Sequence, residues 1–238
     1  MHKAIVTGGT RGIGYAIARD LVKQGAGVMI TGLDRARLDA AVRRLTSEAG
    51  AHGDLVVGAA ADVRRRADVE KVVADVVARF GGLDVLVNNA GVGAFTEIET
   101  MSDEDWSRVI DTNLTGAFYA TRAAIPAMRK SGGGWIVNVA SLAARNFFPG
   151  GGAYCASKAG LLAFSEAVMQ EVRYDGIRVT VVMPGSVATE FNGHTVGDGD
   201  AWKLTPEDVS EVVMDLLRHP ARSLPSRIEI RPAQPKRR

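Results

Sequence analysis

The 238 residues predict an α/β fold, a doubly wound, seven-stranded parallel sheet with helices on both faces. Strand-like apolar runs alternate with helix-like stretches along the chain, the pattern of a parallel sheet covered on both sides. A glycine-rich turn, Thr7-Gly8-Gly9-Thr10-Arg11-Gly12-Ile13-Gly14, follows the first apolar run directly and opens a helical pattern. Further on, Tyr154 and Lys158 lie four residues apart in a segment that reads as helix.

The first strand, 3–7, is the run Ala4-Ile5-Val6, and the helix at 12–24 carries Ala16, Ile17, Leu21 and Val22 at helical spacing. Strand 27–32 and helix 35–49 come next, then strand 54–60 and helix 66–80. Strand 83–88 leads into one long helix at 103–130, and strand 134–140 into a helix at 152–174. Strand 177–183, helix 206–218 and strand 227–231 complete the order. Right-handed crossovers put the ligand crevice at the carboxyl ends of the strands. The length suits one domain over 1–238, with a short mobile flap at about 190–204, rich in glycine, beside the crevice.

Composition bounds the surroundings. Hydrophobic residues make up 46%, enough for a sizeable core, and the net charge of +2 argues for no particular partner. The basic end Pro235-Lys236-Arg237-Arg238 reads as a solvated tail, so no nucleic-acid partner is expected. Cys155 is the only cysteine; it reads as a small packing residue, rules out an internal disulfide and fits a reducing cytoplasm. No apolar run reaches membrane-spanning length, and a first strand beginning near Lys3 leaves no room for a signal peptide. The histidines, His2, His52, His194 and His219, show no metal-ligand spacing, and no metal is expected.

A strand, a glycine turn and a helix in that order form a dinucleotide site. Glycines let the backbone approach a pyrophosphate, and the helix N-terminus presents free N–H groups to it. The order predicts a dinucleotide-binding domain of Rossmann type, with NAD(P) as the expected dinucleotide. Tyr154 and Lys158 supply a second chemistry, because residues at i and i+4 share a helical face. A free phenol has a pKa of about 10. An ammonium at about 4 Å, at an effective dielectric of about 20, favours the phenolate by roughly 4 kcal/mol. The pair is therefore expected to bring the phenol toward working pH.

Together these residues resemble the short-chain dehydrogenase/reductase family, single-domain branch, from Lys3 to about Thr189. The marks are the Thr7–Gly14 loop, Asp62-Val63, Asn88-Asn89-Ala90-Gly91, Asn113, Ser141, Tyr154 with Lys158, and Pro184-Gly185. The resemblance implies hydride transfer between a nicotinamide and a carbonyl or alcohol carbon, with Tyr154 as general acid or base. It implies that Lys158 lowers the tyrosine pKa and binds the nicotinamide ribose, that Ser141 bonds the substrate oxygen, and that Asn113 holds a relay water. Gly8, Thr10, Arg11, Gly12, Ile13 and Gly14 would hold the pyrophosphate side of the cofactor. Asp62 and Val63 would contact the adenine, Asn89, Ala90 and Gly91 would leave space for the adenosine ribose, and Pro184, Gly185 and Thr189 would meet the nicotinamide carboxamide.

Cofactor choice turns on the end of the second strand, Thr31-Gly32-Leu33-Asp34-Arg35. Gly32 stands where relatives that use NAD carry an acid, so NADP(H) is favoured, with Arg11 offering positive charge. A slightly longer strand would make Asp34 the ribose ligand and NAD(H) the cofactor. Val92, Phe95, Arg145, Phe147, Phe148, Phe191 and Trp202 are candidate walls for a small carbonyl or alcohol substrate. The resemblance points to 3-oxoacyl reductases, with Arg129, Lys130 and Arg173 as docking points for an acidic carrier protein. Sugar or polyol dehydrogenases share the catalytic set, and a non-catalytic nucleotide sensor is the reading from another class. Apolar residues beyond one stripe on the helices at 103–130 and 152–174, such as Phe118, Leu162 and Phe164, imply a homodimer or homotetramer.

Overall fold

Each predicted apolar run is a strand in the computed structural model, which describes residues 2–235, so that Lys236-Arg237-Arg238 of the basic tail lie outside the described residues. The strands are β1 (Lys3–Val6), β2 (Gly27–Gly32), β3 (Val56–Ala60), β4 (Val85–Asn88), β5 (Gly134–Val139), β6 (Ile177–Pro184) and β7 (Arg227–Ile230). They form one seven-stranded sheet in the order β3-β2-β1-β4-β5-β6-β7, and every pairing is parallel. The order reverses between β1 and β4, and at such a point the carboxyl ends of the strands leave a crevice.

Helices α1 (Gly12–Lys23), α2 (Arg35–Ala49) and α7 (Pro206–Arg218) cover one face. The other is covered by α3 (Arg66–Phe80), α5 (Gly116–Lys130) and α6 (Gly152–Val172). Successive side chains of a strand point to opposite faces, and β1 divides accordingly. Ala4 and Val6 pack under α1, whereas Ile5 packs toward α3 and α5. Val85 and Val87 likewise join the first core, and Leu86 the second. Both faces are apolar, which is why these strands read as continuous hydrophobic runs and not as alternating ones.

The predicted helix at 103–130 differs in one respect that matters for the site. It is α4 (Asp103–Ile110) and α5 joined by a π-helical turn, Asp111–Thr115. The wider turn lets Asn113, buried at 2% exposure, bond across to other elements. Glycine sets the next step: a Cβ on Gly116 would lie 2.9 Å from Val63 Cγ2, so α5 approaches the end of β3 closely. Elsewhere the ends shift by a residue or two. The run at 54–60 becomes strand only at Val56, after a tight turn over Gly50–Leu55.

A buried polar network ties the two middle strands to the helices above them. Asn88 Nδ2 donates to Asn138 Oδ1 at 2.8 Å and to Thr121 Oγ1 at 3.2 Å. Asn138 Nδ2 donates to Ser165 Oγ at 2.8 Å, and that hydroxyl donates to the Leu161 carbonyl. Losing one partner in such a place costs about 1–3 kcal/mol, so the network fixes β4 and β5 against α5 and α6. Among the described residues no helix is long and apolar enough to cross a membrane.

Candidate active site

The glycine turn is held open by Thr7 and Asn89, not by its glycines alone. The amides of Asn89 and Ala90, just past β4, both donate to Thr7 Oγ1 at 3.0 Å. Asn89 Nδ2 reaches back to the carbonyls of Thr7 and Gly8 at 3.0 and 3.1 Å. That stapling requires glycine at two places. Gly8 sits at φ +63 with Ala90 Cα 2.9 Å from where its Cβ would be. A Cβ on Gly14 would lie 2.5 Å from the Gly8 carbonyl oxygen and overlap the Asn89 amide.

The N-terminus of α1 then faces the crevice uncapped. No side chain bonds its free amides and no acidic residue stands in its first turn. This is the arrangement that suits an anion, and the bare backbone leaves room for one. Thr189, past β6, closes the other side, with its Cγ2 3.2 Å from a Cβ built on Gly12. Gly185 donates its amide to the Ile230 carbonyl and packs near Leu142, so Pro184, Gly185 and Thr189 run between the glycine turn and the Ser141 turn. Val63, Ala90 and Asn113 line a crevice between β4 and the π-helical turn, with Thr7 beside them.

Gly32 is the last residue of β2, as the sequence places it. Asp34 is not in the strand. It caps α2, its carboxylate accepting from the Arg37 amide at 2.8 Å. The alternative that makes Asp34 a ribose ligand loses its premise of a longer strand. Asp62 is also engaged: its carboxylate accepts from the Arg64 amide and guanidinium, which hold it below the usual carboxylate range. Arg11 is exposed beside the turn.

The catalytic candidates converge where β5, α6 and the loop after β4 meet. Ser141 stands beside Tyr154, and its hydroxyl favours the phenolate against the effect of burial. Ser141 also accepts from the Ala143 amide at 3.1 Å, so it caps a short turn and faces the phenol at once. Lys158 is buried, and its Nζ donates to the Val139 carbonyl at 2.9 Å. A Cβ on Gly91 would be 3.6 Å from that Nζ and 3.4 Å from Asn113 Oδ1, so bare backbone borders both.

Asn113 is wholly committed. Its Oδ1 accepts from the Val92 amide, and its Nδ2 donates to the Val92 carbonyl and to Ser157 Oγ, all within 2.8–2.9 Å. Ser157 in turn donates to the Tyr154 carbonyl. The side chain thus pins the loop after β4 to the first turn of α6. Ser157 and Thr7 were not among the predicted site residues. Each is an ordinary small polar residue in sequence, and only its neighbours reveal its part.

Expected electrostatics are corrected here. Lys158 Nζ stands 5.8 Å from the Tyr154 ring centroid and donates to the Val139 carbonyl, and the net shift of the phenol is upward, not toward working pH. Burial pushes Tyr154 up, with the Ser141 hydroxyl opposing it. Burial also pushes Lys158 down, to about 8. Both shifts favour neutral forms, since taking a charge out of water is costly.

Aromatic rings surround the phenol. Phe95 and Phe191 lie 5.5 and 5.8 Å from the Tyr154 ring, and Phe148 lies 5.9 Å from Phe95. Arg145 pairs with Glu229, 3.2 Å distant. The segment 190–204 is clasped: Asp200 accepts from the Gly197 amide and pairs with Lys203 and His194, which hold its carboxyl well below the usual range. Arg129 and Arg173 sit at the C-terminal ends of α5 and α6, the sheet's opposite edge, and Arg129 is paired with Asp175. That edge is remote from the crevice, so a carrier protein docked there would not face Tyr154.

Known proteins share this architecture. A profile of the short chain dehydrogenases matches residues 2–198. The chain is 38% identical over 213 residues to a D-beta-hydroxybutyrate dehydrogenase of Rhizobium meliloti, covering 89% of this chain and 81% of that one. It is 39% identical over 188 residues to a 3-oxoacyl-acyl-carrier-protein reductase of Chlamydia muridarum, covering 79% and 75%. An alcohol dehydrogenase from the archaeon Thermococcus sibiricus, solved with 5-hydroxy-NADP, superimposes with a TM-score of 0.90 at 30% identity over 100% of both chains. The chain belongs to the short-chain dehydrogenase family.

Proposed function

We propose that the protein transfers a hydride between NADP(H) and a carbonyl or alcohol carbon, with the catalytic set of the 3-oxoacyl reductases. The observation that carries this reading is the convergence of Tyr154, Ser141 and buried Lys158 at the carboxyl edge of the sheet, beside a glycine turn with an uncapped helix behind it. The turn fits a dinucleotide: Gly8, Gly12 and Gly14 leave a cradle that Cβ atoms would fill, and α1 offers unpaired amides to the pyrophosphate. The bound cofactor supplies or accepts the hydride.

The chain's own residues do the rest. Ser141 holds the substrate oxygen, and Tyr154, kept protonated by burial, gives it a proton in the reducing direction. The ammonium of Lys158 stabilises the phenolate left behind. Asn113 and Ser157 act as positioning residues, fixing Tyr154 through the first turn of α6. Asp62, Val63, Asn89, Ala90, Gly91, Pro184, Gly185 and Thr189 complete the cofactor's walls, and one domain carries the whole, as the single sheet supports. A reducing cytoplasm suits the lone buried Cys155. Phe118, 38% exposed and edge-on to Phe164, supports a homo-oligomer paired through α5 and α6; light scattering at micromolar concentration should give a dimer or tetramer mass, and a monomer mass would count against the pairing.

Tyr154→Phe tests the reading directly. Carbonyl reduction followed by NADPH absorbance should fall about 10²–10⁴-fold, with NADPH affinity kept. Unchanged turnover would overturn it.

Cofactor choice is tested at Arg11. A charge-assisted bond to the 2′-phosphate contributes about 1.5–3 kcal/mol, so Arg11→Ala should weaken NADPH by about tenfold to a hundredfold and leave NADH nearly unchanged. Gly32→Asp should reverse the preference, but its Cβ would meet Thr10 Cγ2 at 2.6 Å, so the variant is made with Thr10→Ala. Tighter binding of NADH by the unaltered protein would sink the assignment.

Lys158 gives a pH signature. Its folded pKa, about 8, lies below the unfolded value, so between them the unfolded chain binds the extra proton. Stability should therefore rise with pH above 8, by about 3 kcal/mol at full deprotonation, and be flat below. Urea unfolding of wild type against Lys158→Met across that range isolates the effect. A difference that does not change with pH would show that the ammonium is not held in a poorly solvated site.

A further inference from the structure

The walls around Tyr154 carry information that the catalytic set does not. They are the loops after β4, β5 and β6, residues 89–102, 140–151 and 185–205, and all three stand at the carboxyl edge of the sheet. Their apolar side chains are large and open to solvent: Phe95 is 46% exposed, Ile98 63%, Phe147 69% and Phe148 44%. Phe95, Phe148 and Phe191 are linked to the phenol ring by ring and edge contacts. A patch of that kind, joined to a reactive hydroxyl, marks a surface for apolar ligand atoms.

The charges on the same loops are unequal. Glu97, Glu99, Glu190, Asp198 and Asp200 stand against Arg145, Lys203 and His194. Arg145 is paired with Glu229, and Lys203 and His194 with Asp200. Lys158 is buried behind Tyr154 and bonded to Val139. Among the described residues of these three loops, then, carboxylates outnumber basic groups, and each basic group has a carboxylate partner.

We infer that the substrate is a neutral ketone or secondary alcohol with an apolar alkyl or aryl flank, and not a free hydroxy or oxo carboxylic acid. The inference rests on the reductase reading above and narrows it. It separates this chain from what the name of the hydroxybutyrate dehydrogenase relative describes. The expected discrimination between a neutral ester and its acid is about tenfold, or about 1.4 kcal/mol.

Matched pairs test it, because an ester and its acid present the same ketone. Ethyl benzoylacetate against benzoylacetate, and ethyl acetoacetate against acetoacetate, are reduced with NADPH at pH 7. The esters should give kcat/KM at least tenfold higher, and the aryl ester should exceed the smaller one. Phe148→Lys, at a half-exposed ring, should narrow the ester-to-acid ratio by about tenfold by offering the missing cation, with the thermal midpoint showing that the fold is kept. Acids reduced as well as esters, or a ratio that Phe148→Lys does not move, would overturn the inference while leaving the reductase reading in place. NADPH binding with neither member of either pair reduced would remove both.

Discussion

One hydroxyl, that of Thr7, sets the geometry on which the site depends. It stands at the end of β1, where the strand order reverses, and takes the amides of both Asn89 and Ala90. The reversal leaves two adjacent strands diverging into separate loops, and something must hold those loops apart without filling the gap. Thr7 and the Asn89 amide do so with hydrogen bonds that run across the gap's floor. Side chains larger than hydrogen at Gly8 or Gly14 would break that floor, since the space is already taken by Ala90 and Asn89. The glycines are therefore required twice, once by the ligand they admit and once by the staple they accommodate.

Behind the floor, the protein accepts an electrostatic cost. Lys158 lies in a place that favours its neutral form, and Tyr154 in one that favours the phenol. A lysine placed to stabilise a nascent phenolate has to be close and poorly solvated, because in water its field is screened. The same burial that strengthens its field weakens its hold on the proton. Val139 partly offsets this by accepting a hydrogen bond from the ammonium at 2.9 Å. The expected four-ångström pairing with Tyr154 treats the cation as free to choose its partner, whereas the end of β5 offers it a carbonyl first.

How much of this was legible in the chain depends on the kind of signal. Strands and helices were readable nearly to the residue, because both faces of the sheet are apolar and the turns between elements are marked by glycine. Gly32 at the end of β2 and Tyr154 with Lys158 on one helix followed from spacing alone. The π-helical turn did not, because Asp111 to Thr115 is compatible with an ordinary helix and only the partners of Asn113, 21 and 44 residues away, make the wider turn worthwhile. Asp34 would serve a ribose only if the strand ran longer; the strand ends at Gly32, and Asp34 caps α2 instead. Long-range partners, not local propensity, are what sequence reading lacks here.

The placement of these features divides the molecule into a part that fixes chemistry and a part free to choose what is acted on. Thr7, Asn89, Asn113, Ser157 and Lys158 bond to the backbone of strand ends and the first turn of α6, so a change at any of them moves several elements. Phe95, Phe147 and Phe148 make no hydrogen bond through their side chains and stand largely in solvent, so their replacement disturbs little beyond the surface they form. Phe191 is intermediate. It rests on Tyr154 and takes its position from a segment clasped by Asp200, whose three partners all lie within that segment. A local clasp can be rebuilt without touching the sheet. Substrate preference can therefore change through these loops while the proton-transfer geometry stays as the sheet dictates.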